Sequence, residues 1–438
     1  MSAGIIIAAP AAGNGKTVVV LGLLRHLRRQ DRSVAAFKVG PDTVDPAFHT
    51  AAAGRACVNL DIWAMRRATL DGLIGGLSRT ADLVIGEGVM GLYDGVADGG
   101  GSTADLAALT GWPVVLVIDA HAMAESAAAV VRGFAGHRAD VALVGVIFNR
   151  VGGAEHAALL RQACEGAGTV PVLGCIARDP RLAVAARRLG LARSAEEEEL
   201  ELFIDAAADV IGSHIDWPAL VAAARPARGE DDAETPVPIP PLGQRIAVAD
   251  DAAFAFAYPW VLEGWRAAGA TVMPFSPLAG ETADVEADAI YLPGGYPEDF
   301  AGRLAIAAGF LGGLRAAAAR GVAIYGERDG YRVLGRGLID DQGTRHEMAG
   351  LIPIETSSAA RRLRIGYRKL TLKRDGPLGP AGRRFRGHEF RHCDLVDDAP
   401  APALFDGATA AGRLLPPVGY AEGNVVGSFV QLIDRVDD

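Results

Sequence analysis

Near the start of the chain, Pro10-Ala11-Ala12-Gly13-Asn14-Gly15-Lys16-Thr17 gathers the residue types that grip phosphate. The run ends in the Gly-Lys-Thr of a Walker A loop, with Pro10 where such loops usually open on glycine. Small residues let backbone N–H groups curl around phosphate oxygens, and a following helix adds the partial positive charge of its N-terminus. Gly13, Asn14, Gly15, Lys16 and Thr17 are the expected nucleotide contacts. Lys16 would reach the β- and γ-phosphates of ATP, and the Thr17 hydroxyl would join the shell of a Mg²⁺ ion. A bare tripeptide is weak evidence. Placed between an apolar strand and a helix it is strong, against the bland alternative of a glycine-rich turn.

Two acidic groups follow at the ends of expected strands. Asp42 and Asp45 lie just beyond the second strand in Phe37-Lys38-Val39-Gly40-Pro41-Asp42-Thr43-Val44-Asp45-Pro46. Glu87 and Asp94 lie beyond the third in Glu87-Gly88-Val89-Met90-Gly91-Leu92-Tyr93-Asp94-Gly95. Ligands of parallel α/β sheets gather outside the carboxyl ends of strands. Carboxylates crowded there repel one another and ATP unless a hard cation lies between them, and Mg²⁺ takes one or two carboxylates plus phosphate oxygens. Taken singly, each acid could equally be a loop cap. Asn149 also ends a strand, where its amide either reads the edge of an adenine ring or shapes a turn.

The elements that must position these groups are legible from patterning. Apolar runs without polar alternation, Ile5–Ala9, Val34–Val39, Leu83–Ile85, Val114–Ile118, Val141–Phe148 and Val172–Ile176, predict a parallel sheet covered on both faces. The segment Arg225–Gln244, rich in proline and acid, reads as a linker between a domain over residues 1–224 and another over 245–438. After it the scheme restarts with Arg245–Val248, Thr271–Pro274, Ala289–Leu292 and Val322–Tyr325, with a helical stretch over Leu304–Arg320. Arg364–Leu372 and Val425–Leu432 read as strands, and the run Glu196–Glu199 as a solvated helix start.

Composition narrows the function. The chain has 438 residues, half of them hydrophobic, 22% charged, with a formal net charge of -10 and no basic run. That balance argues against a nucleic-acid partner. No apolar stretch reaches the roughly 20 residues of a membrane helix. Cys57, Cys164, Cys175 and Cys393 form no CxxC pair and fit a reducing, cytoplasmic setting.

Seven stretches together resemble the cobyrinic and hydrogenobyrinic acid a,c-diamide synthases: Ala9–Thr17, KVGPDTVDPAFH at Lys38–His49, EGVMGLYDG at Glu87–Gly95, GSTADL at Gly101–Leu106, LPGGYPE at Leu292–Glu298, Gly366–Arg368 and GHEF at Gly387–Phe390. The resemblance spans essentially the whole chain. It implies an α/β fold in two parts: a dethiobiotin-synthetase-like P-loop domain with a parallel sheet, then a class I glutamine amidotransferase-like domain. It further implies that ATP phosphorylates a carboxylate of a tetrapyrrole and that ammonia displaces the phosphate. On that basis Lys16 and Thr17 hold the triphosphate, Asp42 and Glu87 with Thr17 bind Mg²⁺, and Asp45 and Asp94 face the substrate carboxylate or incoming ammonia.

Departures from the family pattern carry as much information. Where relatives read YGECGGYM at the nucleophile turn, this chain reads Tyr325-Gly326-Glu327-Arg328-Asp329-Gly330-Tyr331-Arg332. Arg328 stands in the place of the cysteine and cannot form a thioester. Gln431, in Gly427-Ser428-Phe429-Val430-Gln431, stands in the place of the histidine base and cannot shuttle a proton near neutrality. Cys393 beside His392 would point away from it on a strand. His388 and Glu389 read as structural or substrate-facing. Thr43 replaces a family tyrosine, and Arg187 and Arg188 fall in a stretch that differs from its PERHLGL, so all three count as substrate-facing departures. The expected enzyme is an ATP- and Mg²⁺-dependent ligase whose nitrogen comes from free ammonia, a separate glutaminase or another amine. A ligase for another carboxylic acid, and a non-catalytic partner of an active paralogue, stay open, as does a homodimer.

Overall fold

The computed structural model describes residues 2–97, 99–182, 197–228, 236–359, 362–398 and 402–437. It divides into two compact units, one of Met1–Trp63 with Arg67–Thr235 and one of Ala64–Arg66 with Pro236–Asp438. Arg187 and Arg188 lie outside the described residues.

In the first unit, β1 (Ala3–Ala8), β2 (Val34–Val39), β3 (Val58–Leu60), β4 (Leu83–Glu87), β5 (Val114–Asp119), β6 (Leu143–Val151) and β7 (Val172–Ala177) form a parallel sheet in the order β3-β2-β4-β1-β5-β6-β7. Its central strands are buried on both faces, which is why their sequences are unbroken apolar runs: Ile5, Ile6 and Ile7 are all 0% exposed. Helix α1 (Lys16–Arg29) lays Val19, Val20, Leu23, Leu24 and Leu27 onto one face of the sheet. Each such side chain contributes about 1.5–3 kcal/mol on burial. That packing fixes the phosphate loop, because the loop is simply the connection from β1 to α1.

Several sequence expectations needed correction here. Glu87 is the last residue of the fourth strand, since the three-residue β3 is too short to leave a periodic signal. The linker is anchored at both ends: β8 (Arg225–Pro226) pairs antiparallel with β1, and Ile239 and Leu242 are buried.

The second unit opens with β9 (Arg245–Ala249), β10 (Thr271–Phe275), β11 (Ala289–Leu292) and β12 (Ala323–Glu327). Its middle supplies β13 (Gly337–Ile339), β14 (Arg345–Glu347), β15 (Ile354–Ser357), β16 (Arg364–Leu372), β17 (Arg384–Arg391), β18 (Asp394–Asp398) and β19 (Phe405–Thr409). Its end supplies β20 (Tyr420–Glu422), β21 (Val425–Ser428) and β22 (Val430–Arg435). The main sheet runs β10-β9-β11-β12-β21-β20, parallel except for β20; two four-stranded sheets, β14-β13-β15-β18 and β19-β16-β17-β22, accompany it. The expected helix over Leu304–Arg320 is two, Ala301–Ile306 and Ala308–Ala319, parted at Ala307 with ψ 68°. The expected strand Val425–Leu432 is also two, broken at Phe429, so that β21 joins one sheet and β22 another.

Candidate active site

The phosphate loop takes its shape from glycine and from two asparagines. Gly13 and Gly15 sit at φ 82° and 94°, a region open to glycine and costly for other residues. A Cβ on Gly15 would also lie 2.2 Å from Nδ2 of Asn149. Asn149 donates that amide to the carbonyl of Asn14 at 2.9 Å and accepts from the N–H of Arg150, also at 2.9 Å. Asn14 in turn accepts from the N–H of Asp119 at 2.7 Å and donates to the carbonyl of Ala11 at 2.9 Å. The amide nitrogen of Asn149 thus braces the loop while its oxygen shapes the turn into Arg150. Ala11, Ala12 and Gly13 at the tip are exposed.

Lys16 folds back across this loop. Its ammonium donates to the carbonyl of Met90 at 2.7 Å and lies 3.5 Å from that of Ala11. Burial lowers the Lys16 pKa, and the carboxylates of Glu87, Asp45 and Asp94 only partly oppose that shift. Met90, on the loop after β4, is a non-glycine residue at φ 48°. Such a conformation costs of order 1–3 kcal/mol and tends to persist where a site requires it. Here it aims a carbonyl at the Lys16 ammonium.

Three charged groups and a histidine converge beside the loop. Glu87 is 1% exposed, and its Oε1 accepts from the Thr17 hydroxyl at 2.8 Å and from the Lys38 ammonium at 3.0 Å. Its Oε2 lies 2.6 Å from His49 Nε2. Lys38, at the end of β2, also donates to Asp45 Oδ2 at 2.7 Å. Burial disfavours charge on both Lys38 and Glu87 and is the largest single effect on each. Their mutual attraction, together with Asp45 and Asp42 around the lysine and with the contacts from His49 and Thr17 around the glutamate, outweighs it, so Lys38 is held above and Glu87 well below its ordinary pKa. Asp45 is pushed up to about 6, first by burial and then by the charge on Glu87.

The remaining acids have local partners. Asp42 Oδ1 accepts from the N–H groups of Val44 and Asp45 at 2.7 and 3.3 Å, which shapes the entry to α2 (Asp45–Ala53). Asn59 of β3 pins the same turn by donating to the carbonyls of Gly40 and Asp42. Asp94 Oδ2 accepts from the N–H of Gly91 at 2.8 Å. Thr43 is half-buried on the turn between Asp42 and Val44.

The structure therefore brings Lys16, Thr17, Glu87 and Asp45 into one cluster, with Asp42 and Asp94 shaping the loops that flank it. Sequence reasoning gave no role to Lys38, His49 or Asn59. The first two lie inside the quoted stretch Lys38–His49. A lysine within an apolar strand was the signal available for one of them. The donors suit a nucleotide triphosphate with a small divalent cation: exposed loop N–H groups, an ammonium, and a hydroxyl already in contact with a buried carboxylate. Among the described residues no cluster of three or more His, Cys, Asp and Glu forms a preassembled metal site. Phosphate oxygens would have to complete any coordination, as is usual for Mg²⁺.

In the second unit, the turn between β12 and the helix Asp329–Leu334 carries Arg328 at φ 52°, ψ -116°. Strand, strained residue and helix make the elbow on which amidotransferases and hydrolases mount a nucleophile. Gly330 lets it close: a Cβ there would fall 2.1 Å from the carbonyl of Leu292. The Arg328 guanidinium donates to Gln431 Oε1 at 3.1 Å and lies over the Phe256 and Phe390 rings at 4.9 and 5.9 Å. Gln431 donates to the carbonyl of Phe256 at 2.6 Å. His388 pairs with Gln431 across β17 and β22. Burial, then the charges of Arg328 and Arg368, push its pKa down to about 3.

Cys393 differs from expectation. It lies in the connection between β17 and β18 and on neither strand, so strand alternation does not govern it. It is 1% exposed, and burial raises its thiol pKa. His392 instead packs edge-on to Phe390 at 5.2 Å.

A phosphate loop with an acid cluster on one unit and an elbow on the other define a class, a nucleotide-binding domain joined to an amidotransferase-like domain. Residues 5–190 match the CobQ/CobB/MinD/ParA nucleotide binding domain and residues 245–433 the CobB/CobQ-like glutamine amidotransferase domain. The chain is 49% identical to the hydrogenobyrinate a,c-diamide synthase of Brucella suis biovar 1 (strain 1330), over 98% of each chain. It is 48% identical to that of Rhodobacter capsulatus, again over 98% of each, and 46% identical to that of Rhizobium meliloti (strain 1021), over 98% of this chain and 99% of the other. The chain belongs to the hydrogenobyrinate a,c-diamide synthase family. No helix among its described residues is long and apolar enough to cross a membrane.

Proposed function

We propose that this chain is an ATP- and Mg²⁺-dependent carbon–nitrogen ligase. It amidates the a and c carboxylates of a hydrogenobyrinic acid-type tetrapyrrole with nitrogen that its own second domain does not release from glutamine. The observation that carries the ATP chemistry is the convergence of Thr17 and Lys38 on the buried carboxylate of Glu87, beside the phosphate loop. Thr17, Glu87 and Asp42 would hold a magnesium ion, which would supply charge neutralisation for the phosphates. Lys16 leaves the Met90 carbonyl for the triphosphate. A substrate carboxylate oxygen attacks the γ-phosphorus and ADP departs, leaving an acyl phosphate. Ammonia then attacks the acyl carbon, inorganic phosphate leaves with the bonding pair, and the nitrogen gives up one proton. Asp45, whose carboxyl is pushed up to about 6 by burial, receives that proton, and Asp94 orders the loop facing the acceptor. Neutralisation and alignment carry most of such a transfer.

The nitrogen source follows from the elbow. A guanidinium and a carboxamide offer neither thiolate nor base, so no thioester with glutamine forms. Free ammonia, a separate glutaminase or another amine supplies the nitrogen, and the protein works in the cytoplasm. Labelling the substrate carboxylates with ¹⁸O tests the chemical route. One label should appear in inorganic phosphate for each amide made; unlabelled phosphate would exclude the acyl phosphate.

A further inference from the structure

His49 is fully buried, and its Nδ1 has no hydrogen-bond partner among the described residues. A buried polar atom left unpaired is destabilising, and an apolar side chain would fill the same space without that cost. The other ring nitrogen does have a partner. His49 Nε2 lies 2.6 Å from Glu87 Oε2, while Glu87 Oε1 faces Thr17 at 2.8 Å and Lys38 at 3.0 Å. The carboxylate is thereby split, one oxygen capped from behind and the other presented to the phosphate loop. Helix α2 makes this possible because Asp45 and His49 are one turn apart and share a face. One reaches Lys38 and the other reaches Glu87.

We propose that His49 is a positioning residue for Glu87: by holding Oε2 it leaves Oε1 as the single oxygen offered to a divalent cation beside Thr17. The inference rests on the assignment of Glu87 as a metal ligand. Magnesium demands near-ideal octahedral geometry with short bonds, whereas calcium accepts both oxygens of one carboxylate. A carboxylate prevented from chelating with both oxygens discriminates between them. Partners that orient a ligand in this way are typically worth about 10–100-fold in metal affinity.

The test is binding of Mn²⁺ in the presence of ADP, followed by electron paramagnetic resonance with Mg²⁺ and Ca²⁺ as competitors, in the full chain. His49→Leu should weaken Mn²⁺ by about 10–100-fold and narrow the preference for Mg²⁺ over Ca²⁺, while His49→Gln, which can still donate to Glu87, should recover most of both. A folded His49→Leu protein that binds Mn²⁺ within about twofold of the parent, with its preference unchanged, overturns the proposal. Should His49→Leu not fold, His49→Asn, polar but too short to reach Glu87, carries the same two outcomes. Glu87→Gln separates the layers. If it too leaves Mn²⁺ binding intact, the metal assignment fails and this inference with it. If it abolishes binding while His49→Leu does not, only the role given to His49 fails.

Discussion

The guanidinium of Arg328 donates to the side-chain oxygen of Gln431 at 3.1 Å, across the turn where this class of fold mounts a thiol opposite an imidazole. Each partner has a further contact. Gln431 passes its own N–H to the Phe256 carbonyl, and the Phe256 ring lies beneath the guanidinium. What occupies the elbow is a packed polar core rather than a nucleophile awaiting substrate.

Arg328→Ala should accordingly spare ammonium-dependent amidation while lowering stability. Gln431 Oε1 loses its donor in a buried setting, a loss of about 1–3 kcal/mol. Denaturant unfolding alongside a turnover assay checks both halves. A loss of ammonium-dependent turnover in a folded variant would place Arg328 in the chemistry.

Lys16→Ala should abolish ATP turnover, with a fall of at least about 10²–10³-fold, the scale of removing one preorganised charge-stabilising donor. ADP release with each candidate substrate measures it. Turnover within a few-fold of the parent would move the phosphate site elsewhere.

How far these roles could be read in advance depended on their locality. The path from β1 through the glycine loop into α1 was legible because every determinant lies within one short stretch, and Lys16 and Thr17 came with it. Arg364–Leu372 and Ala289–Leu292 matched strand bounds, the second because it is apolar from end to end. Lys38 and His49 were missed for the opposite reason: their partner Glu87 is distant in sequence, and only sheet order makes β2 and β4 neighbours. The break at Phe429 was invisible for a related reason. Apolar residues continue through it, and the change of sheet that splits the strand is a tertiary event.

Lys38→Met should be among the most destabilising single changes in the first unit. It leaves Glu87 fully buried and Asp45 beside it without a cation, and breaking a buried pair in this way costs about 3–5 kcal/mol. Added Mg²⁺ should recover part of the loss, since a divalent cation can serve the same carboxylates. Thermal unfolding with and without Mg²⁺ decides it; a variant as stable as the parent would contradict the reading of this cluster.

Glu327 gives a pH signature of unusual sign. Burial pushes its carboxyl up to about 7, against hydrogen bonds from Tyr291 at 2.5 Å, Tyr325 at 2.9 Å and the N–H of Leu432 at 2.8 Å. Between the ordinary glutamate value and about pH 7 the folded protein keeps a proton that the unfolded chain has lost. Its contribution to stability is therefore present at low pH and declines as pH rises through that window. Glu327→Gln cannot lose that proton. The stability difference should move in favour of the variant by about 3 kcal/mol between about pH 5 and about pH 8. Paired urea titrations at the two pH values give the answer, and a difference that stays constant would mean that Glu327 is ionised throughout.

The most direct measurement supplies purified protein with ATP, Mg²⁺ and hydrogenobyrinic acid, adding ammonium to one reaction and glutamine to another, and follows ADP and product mass. Ammonium should give ADP with mono- and diamide masses, and glutamine alone neither amide. Amide formation from glutamine at a comparable rate would instead show that this chain releases ammonia itself.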